Sequence, residues 1–282
     1  MDNKEKLFGT QEITAHFRNF LLSQSSIINK MVFKGAKLDE RSSQISVLLG
    51  SACQTATAIA KLSESPEIFL AECIVLARGF LEKVINFCYL LVCNREEYER
   101  FLKHTIQKSY RKLNRKIALD EHAFQIKWTG EIDVDNIPEL KEALAKFTSE
   151  SGKEKTHWTK ANLLDRIKII TQNSKLQSAS FLLNTLTIYE DASEALHGTL
   201  YGCSFHTGAY EPNLDKKDSR KVRQNIQQNT TLLLWQLGML FHQVILLLNE
   251  KNNLKKALEI SRHNFDNSFK LMESMLDEKE TK

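Results

Sequence analysis

Arg78 and Glu82 lie four positions apart within 66–93, the longest apolar stretch of the chain that still carries ionised side chains. In a helix this spacing places both side chains on one face. An isolated charge among apolar residues is costly, so each needs a partner. A guanidinium can stabilise the charge of a phosphate, and a carboxylate can accept or orient a proton. The pair therefore indicates either a functional site or an ion pair that fixes helix register.

Tyr189, Ser193 and His197 repeat the same four-residue spacing just before Gly198. The three side chains share one helical face, and the negative end of a helix dipole favours a protonated histidine. If this stripe packs against Arg78 and Glu82, the site combines an acid, a base and a fixed cation. Such a set suits proton transfer or the binding of phosphate. The alternative is that His197 caps the helix.

A basic run follows the apolar stretch, with no acidic residue from 103 to 116. We call its cations the basic ridge: Lys103, Lys108, Arg111, Lys112 and Arg115. On a helix they could face the phosphates of RNA. The alternative is a solvated helix face, which is what most charge runs are.

The sequence contains no motif for several other kinds of chemistry. The eight histidines have no zinc-ligand spacing, and the five cysteines form no CxxC pair. The chain has no phosphate-binding loop, dinucleotide fingerprint or nucleophile elbow. We therefore expect no metal ion and no organic cofactor.

The stretch 66–93 is predicted to be a central helix. Ser63 and Ser65 can cap its start, Pro66 suits the first turn, and Glu67 faces the positive end of the dipole. Apolar residues cover most of its faces, which predicts neighbours on several sides. Helical spacing predicts further helices at 10–34, 39–62, 94–116, 138–147, 159–171, 175–200, 219–250 and 254–276.

The predicted class is all-α, a single bundle of about seven to nine helices over residues 1–282. Its core spans 38–250, and the C-terminal helix lies within 251–282. Residues 120–158 form an irregular insertion in which 124–134 is a short strand or an ordered loop. Residues 202–218 are interpreted as a surface loop.

The location predicted for the chain is the cytoplasm, without membrane contact. The N-terminus has no apolar signal core. The apolar stretches 68–93 and 232–248 carry charged or polar residues, so both are interpreted as core helices. The cysteines are interpreted as small core residues in a reducing compartment. A net charge of +4 is too small to indicate nucleic-acid binding without local clustering.

The segments ARGFLEKVINFCYLL and YEDASEALHG resemble the two signature segments of a family of uncharacterised, wholly helical bacterial proteins. In that family a helix with Arg-x3-Glu is followed by one with Tyr, Ser and His-Gly. The resemblance covers 40–205. It implies a site made of Arg78, Glu82, Tyr189, Ser193, His197 and Gly198.

The architecture is also similar to the HEPN class of helical domains, many of which are metal-independent ribonucleases in toxin–antitoxin and anti-phage systems. The Arg-x4–6-His mark of that class is met by Arg115 and His122. Lys116 stands where the class usually has Asn, Asp or His.

These observations predict a bacterial defence or stress protein that binds or acts on RNA. As a ribonuclease toxin it would use His197 as general acid or base, Arg78 to stabilise phosphate charge and Glu82 to orient one of them. The alternative is a non-catalytic helical protein-interaction module, in which the polar cluster is structural. Its partner would be another protein or a second copy of the chain.

Overall fold

A computed structural model describes residues 10–33, 37–203 and 218–280. Most of the predicted loop at 202–218 lies outside these ranges. The helices are α1 Gln11–Phe33, α2 Glu40–Leu62, α3 Pro66–Val92, α4 Arg95–Arg111, α5 Pro138–Lys146, α6 Leu163–Gln172, α7 Ser178–Asn184, α8 Glu190–Leu196, α9 Ser219–Asn252 and α10 Lys255–Glu280. The strands are β1 Asn114–Leu119 and β2 His122–Lys127, and Val134–Asn136 is a 3-10 turn.

The all-α class is confirmed. A π-helical turn, Thr185–Tyr189, joins α7 to α8 without a break. With that run counted once, the described residues contain nine α-helical segments, within the predicted range. The one sheet among them is the β1–β2 hairpin.

The chain forms two compact units. Residues 1–92 and 166–282 make up the first, and residues 93–165 make up the second. The segment expected to be an irregular insertion, 120–158, therefore belongs to a larger unit that also contains α4. The predicted C-terminal helix is α10.

The core of the first unit forms where α3 packs against α2, α8 and α9. The fully buried positions of α3 include Ala77, Phe80, Leu81, Val84 and Ile85. The rings of Phe80 and Phe241 meet edge to face with centroids 4.6 Å apart. α3 thus has neighbours on several sides, as its apolar faces predict.

α1 and α9 approach each other closely at Gly238. A Cβ atom at this position would overlap the Phe20 ring, so the close approach requires glycine. Nearer the N-terminus of α1, the hydroxyls of Thr14 and Thr231 lie 2.7 Å apart and share a hydrogen bond. The two helices therefore meet through a small residue and a buried polar contact.

A buried polar group links α1, α9 and α10. The Ser261 hydroxyl donates to Gln24 Oε1 at 2.7 Å and lies 2.7 Å from His242 Nδ1. The His242 ring stacks on Phe265 with centroids 4.4 Å apart. Burial lowers the pKa of His242 to about 4, so the ring is neutral at pH 7.

In the second unit, β1 and β2 pair as an antiparallel hairpin, with Ile117 directly opposite Phe124. Asp120 occupies the turn with φ of 50°, a conformation that aspartate tolerates better than most residues. Two sequence predictions need correction here. The helix of the basic run ends at Arg111 instead of near 116. The strand His122–Lys127 pairs with β1, whose first residues, 114–116, fall in that predicted helix.

The cysteines largely follow the sequence interpretation. Cys53, Cys73, Cys88 and Cys93 are buried, Cys203 is exposed, and all five are free thiols. Within the described residues, α2 and α9 are long and apolar enough to cross a membrane by length and composition alone. In α9, 78% of the apolar window is buried inside the protein, as in the core helix of a globular unit.

Candidate functional site

The polar stripe of α3 lies beside its buried faces. Arg78, Glu82 and Asn86 follow one another at four-residue intervals and are all partly exposed. They therefore share one edge of the helix. The sequence places charged and amide side chains at the border of the core, where they can meet both another helix and solvent.

Arg78 joins α3 to the second predicted stripe. Its Nη1 donates to Ser193 Oγ at 2.9 Å, and its Nη2 donates to Tyr189 Oη at 3.2 Å. The guanidinium carbon lies 4.4 Å from the centroid of the Tyr189 ring, in cation–π range. The expected meeting of the two stripes is thus observed for Tyr189 and Ser193.

Ser193 is oriented to receive this contact. Its hydroxyl donates to the Tyr189 carbonyl oxygen at 2.7 Å, which leaves its lone pairs for Arg78. Tyr189 accepts from Arg78 and so keeps its own hydroxyl hydrogen available to a further acceptor. Ser193 thus holds the arginine, and Tyr189 presents a donor beside it.

The ion pair is more open than its apolar surroundings suggest. Arg78 Nε lies 3.4 Å from Glu82 Oε1, and the side chains are 19% and 42% exposed. The Glu82 carboxylate therefore reaches solvent. The apolar surroundings predicted an ion pair buried in the core, and the observed pair is only partly buried. A bound molecule could contact both groups without the helices moving apart.

His197 makes no hydrogen bond or ion pair to Arg78 or Glu82 among the described residues. It is exposed. Gly198 has φ of 65°, and Thr199 donates to the carbonyl of Glu194 at 3.2 Å, which ends α8 in a Schellman motif. His197 is the C-cap residue of that motif. The expected approach of His197 to Arg78 stays a prediction.

Arg166 and Asn86 extend the cluster beyond the predicted residues. Arg166, near the start of α6, donates from Nη1 to Asn86 Oδ1. Burial lowers the pKa of Arg166, while Glu82, Tyr189 and Tyr89 act in the opposite direction. Asn86 could have been found, because it continues the four-residue spacing of Arg78 and Glu82. Nothing in the sequence distinguishes Arg166 from other helix-surface arginines.

The π-helical turn Thr185–Tyr189 determines where the second stripe points. The wider turn adds one residue to the helix just before α8, and such turns are frequent at functional sites. Thr187 within it accepts a hydrogen bond from Gln236 of α9 at 3.1 Å. This contact ties the turn to the core helix, so Tyr189 and Ser193 are held from both sides.

A cavity of about 340 Å³ lies behind the turn, against α3 and α9. Its walls combine aliphatic side chains with the polar groups of Thr187, Asp191, Asn229 and Gln236. Burial, and then the neighbouring Glu190, raise the pKa of Asp191. The cavity adds a recess of mixed polarity to the first unit that no sequence pattern had indicated.

No metal site is formed by the part of the chain that the structure describes, since no three His, Cys, Asp or Glu side chains converge there. Two guanidiniums, one carboxylate, a phenol and a serine hydroxyl can bind an anion and orient a hydroxyl or water.

The basic ridge is not one helical face. Lys112 is the C-cap of α4, and Arg115 lies on β1. Lys103 forms an ion pair with Glu142, and Lys108 forms one with Glu154 at 2.7 Å. Three of the five cations thus have protein partners, since Arg111 also donates to Gln107 at 2.8 Å and to Thr148 at 2.7 Å.

The HEPN-type pair, Arg115 and His122, falls on the hairpin. Arg115 is opposite Ile126 near the open end, and His122 is opposite Leu119 beside the turn. The two residues are therefore separated by most of the length of the strands. They do not form one compact site.

The fold and the cluster define an all-α protein in which a central helix and a π-interrupted helix share a partly exposed arginine. Residues 43–230 match the model of a family of unknown function, DUF5677. This match covers more than half of the 282 residues and includes both stripes, so the chain belongs to that family. No curated protein and no solved structure matches the chain.

Proposed function

We propose that the chain binds RNA and that Arg78 holds one of its phosphates. The proposal depends on which N–H donors of the Arg78 guanidinium are already engaged in hydrogen bonds. Ser193, Tyr189 and Glu82 engage one N–H on each of its three nitrogens. Two of its five N–H donors therefore remain for an oxyanion, and the side chain is 19% exposed.

The charge of the cluster supports an anionic ligand. Arg78 and Arg166 bring two positive charges, and Glu82 brings one negative charge. The surplus of one positive charge is confined to the cluster, because α8 itself carries three acidic residues, Glu190, Asp191 and Glu194. A phosphate would thus be recognised by two arginines at one point, not by a broad basic surface.

The surrounding groups favour a nucleic-acid phosphate over a free anion. The Tyr189 ring lies over the guanidinium and adds an aromatic face beside the charge. RNA-binding sites combine such faces with cations, because bases stack on aromatic rings while phosphates meet the charges. The hydroxyls of Ser193 and Tyr189 could contact the ribose 2′-OH.

A metal-independent cleavage of RNA is the catalytic form of this proposal. The step joins the 2′-oxygen to phosphorus and breaks the bond from phosphorus to the 5′-oxygen. It needs a base for the 2′-OH proton, an acid for the departing 5′-oxygen and a cation for the charge on the phosphate oxygens. Glu82 is the partly exposed carboxylate beside Arg78, and His197 lies one turn beyond Ser193. We propose Glu82 as the base and His197 as the acid that protonates the 5′-oxygen of bound RNA. The relation to HEPN domains and the role in bacterial defence rest on the sequence resemblance.

The test is fluorescence anisotropy of a labelled single-stranded RNA with wild type and Arg78→Gln. We expect at least tenfold weaker binding for the variant and a smaller salt dependence, because a phosphate contact is lost. Arg95→Gln is the matched control, since Arg95 is 92% exposed on α4 and its loss removes the same charge. Circular dichroism checks that each variant is folded.

Two results would contradict the proposal. One is the absence of RNA binding by folded wild type at low salt. The other is equal affinity for Arg78→Gln and Arg95→Gln, which would leave the cluster as a structural contact between α3 and α8. Cleavage is scored separately by RNA integrity, and full activity of Glu82→Gln would exclude Glu82 as the base.

A further inference from the structure

The hairpin of the second unit presents an apolar face. Alternate residues of a strand point to the same side, and residues directly opposite each other share a face. By the register of β1 and β2, one face carries Ile117, Leu119, Phe124 and Ile126, with Arg115 and His122 at its two ends. The opposite face carries Lys116, Ala118, Ala123, Gln125 and Lys127. The ribbon is therefore amphipathic, although it belongs to no larger sheet.

No described residue of the chain covers this apolar face. Ile117, Leu119 and Phe124 are 71%, 75% and 73% exposed, and Ile126 is 60% exposed. Trp128, which follows β2, is 54% exposed. Isolated two-stranded hairpins have little stability in water, and large contiguous apolar surfaces mark interaction sites. Within the described residues the face is thus open to an apolar partner.

The charges along the hairpin point to its occupant. The turn between the strands is acidic, with Asp120 and Glu121. The open end is basic, with Arg115, Lys116 and Lys127 on the paired strands. A second copy related by a two-fold axis, with its hairpin antiparallel, would place each acidic turn beside the basic end of the other. The pattern is therefore complementary to itself.

The area available fits a weak dimer. Four large apolar side chains and Trp128, each more than half exposed, offer on the order of 600 Å² per copy. Stable interfaces bury ~800 Å² per partner, so this face lies below that size. Dissociation in the micromolar range is the corresponding expectation.

We propose that the apolar face of the β1–β2 hairpin is a homodimer interface with two-fold symmetry. The inference is independent of RNA binding, because it uses neither the Arg78 cluster nor its ligand. Phe124 and Ile117 lie at the centre of the interface, and the charged ends set its antiparallel orientation.

Sedimentation velocity of the full chain from about 1 to 200 µM tests the interface in the range expected for weak association. Wild type should convert from monomer to dimer with rising concentration. Ile117→Thr with Phe124→Thr should remain monomeric, because threonine keeps the strand preference and removes apolar area. The control pair, Ala118→Thr with Gln125→Thr on the opposite face, should dimerise like wild type.

A charge exchange tests whether the partner is a second copy in this orientation. Glu121→Lys and Arg115→Glu should each dimerise several-fold more weakly than wild type at low salt. An equimolar mixture should recover the wild-type association, because each reversed turn then meets a reversed open end. A monomer at every concentration, a dimer that persists in Ile117→Thr with Phe124→Thr, or a mixture no tighter than its components would overturn the proposal.

Discussion

Arg78 connects two helices through three different kinds of acceptor: a carboxylate, a serine hydroxyl and a phenol. Neutral acceptors satisfy hydrogen bonds without cancelling charge, so the guanidinium stays attractive to an anion. The single carboxylate, Glu82, is 42% exposed and is screened by water. At the scale of residues, the cluster is thus arranged to orient an arginine while leaving most of its charge in place.

His242 gives a prediction on pH at the same scale. Its pKa of about 4 in the fold lies below the usual 6.5, because burial disfavours the charged ring. Between these values the unfolded chain binds a proton that the folded chain does not. Stability is therefore complete above pH 6.5 and falls as the pH decreases toward 4, by about 3 kcal/mol for this residue.

Urea unfolding of wild type and His242→Gln at several pH values from about 7.5 to about 4 measures this loss. The variant should lose less stability on acidification than wild type does. His263→Gln serves as the control, because it replaces an exposed histidine by the same residue, glutamine, without changing the core. Equal pH dependence in wild type and His242→Gln would show that another group titrates.

The cluster was predictable from the sequence only where its residues follow a helical period. Tyr189 and Ser193 meet Arg78 because four-residue spacing aligns each stripe along its helix. His197 keeps the same spacing, but the left-handed Gly198 ends the helix beside it, and no hydrogen bond joins His197 to Arg78 or Glu82 among the described residues. Arg166 has no periodic companion, and only the packing of α6 brings it to Asn86.

At the scale of elements, the long helices were predictable and the hairpin was not. Buried apolar residues at helical spacing define α1, α2, α3 and α9, and Asp39 caps α2 with a 2.7 Å bond to the Ser42 amide, as expected. The hairpin follows α4 without a proline or glycine to mark the change. Each strand has only six residues and two large apolar side chains in alternation, which is too short a pattern to separate β1 from the end of the basic helix.

Two glycines in helix interiors predict opposite effects of the same substitution. A methyl group at Gly79 would have no atom within 4 Å, so Gly79→Ala should stabilise the protein by about 1 kcal/mol through helix propensity. Gly238→Ala should cost about 1–3 kcal/mol, because the methyl group meets the buried Phe20 ring. Thermal and urea unfolding of both variants check the contrast. If both substitutions raised the stability, the close contact of α1 and α9 would have relaxed to accept the methyl group.

At the scale of the whole molecule, the first unit is discontinuous in sequence. Its two parts, 1–92 and 166–282, are separated by the complete second unit. Arg78, from the first part, bonds Glu82 and Tyr189, and both groups favour the charged form of Arg166, from the second part. The candidate site therefore exists only when both parts of the first unit have assembled.

Cysteine reactivity reports on that assembly. Burial raises the pKa of Cys53 to about 11 and that of Cys73 to about 12, and Cys88 and Cys93 are also buried. Only Cys203 is exposed. With an aromatic disulfide reagent at about pH 8, one thiol should react rapidly and four only on unfolding. Cys203→Ser should remove the fast reaction, and a second fast thiol in the folded protein would contradict the buried assignment.

Because of the π-helical turn at Thr185–Tyr189, the contact of Ser193 with Arg78 depends on the number of residues that precede Ser193 in the helix. Each residue advances an α-helix by about 100° around its axis, so one added residue rotates everything after it. The added residue thus rotates the side chains of α8 about the helix axis relative to those of α7. Phe181 of α7 is buried, and Ser193 of α8 contacts Arg78. The number of residues between the two is as much a determinant of the contact as their identities. A substitution within the turn alters one side chain, whereas a deletion of one residue would turn the whole second stripe away from α3.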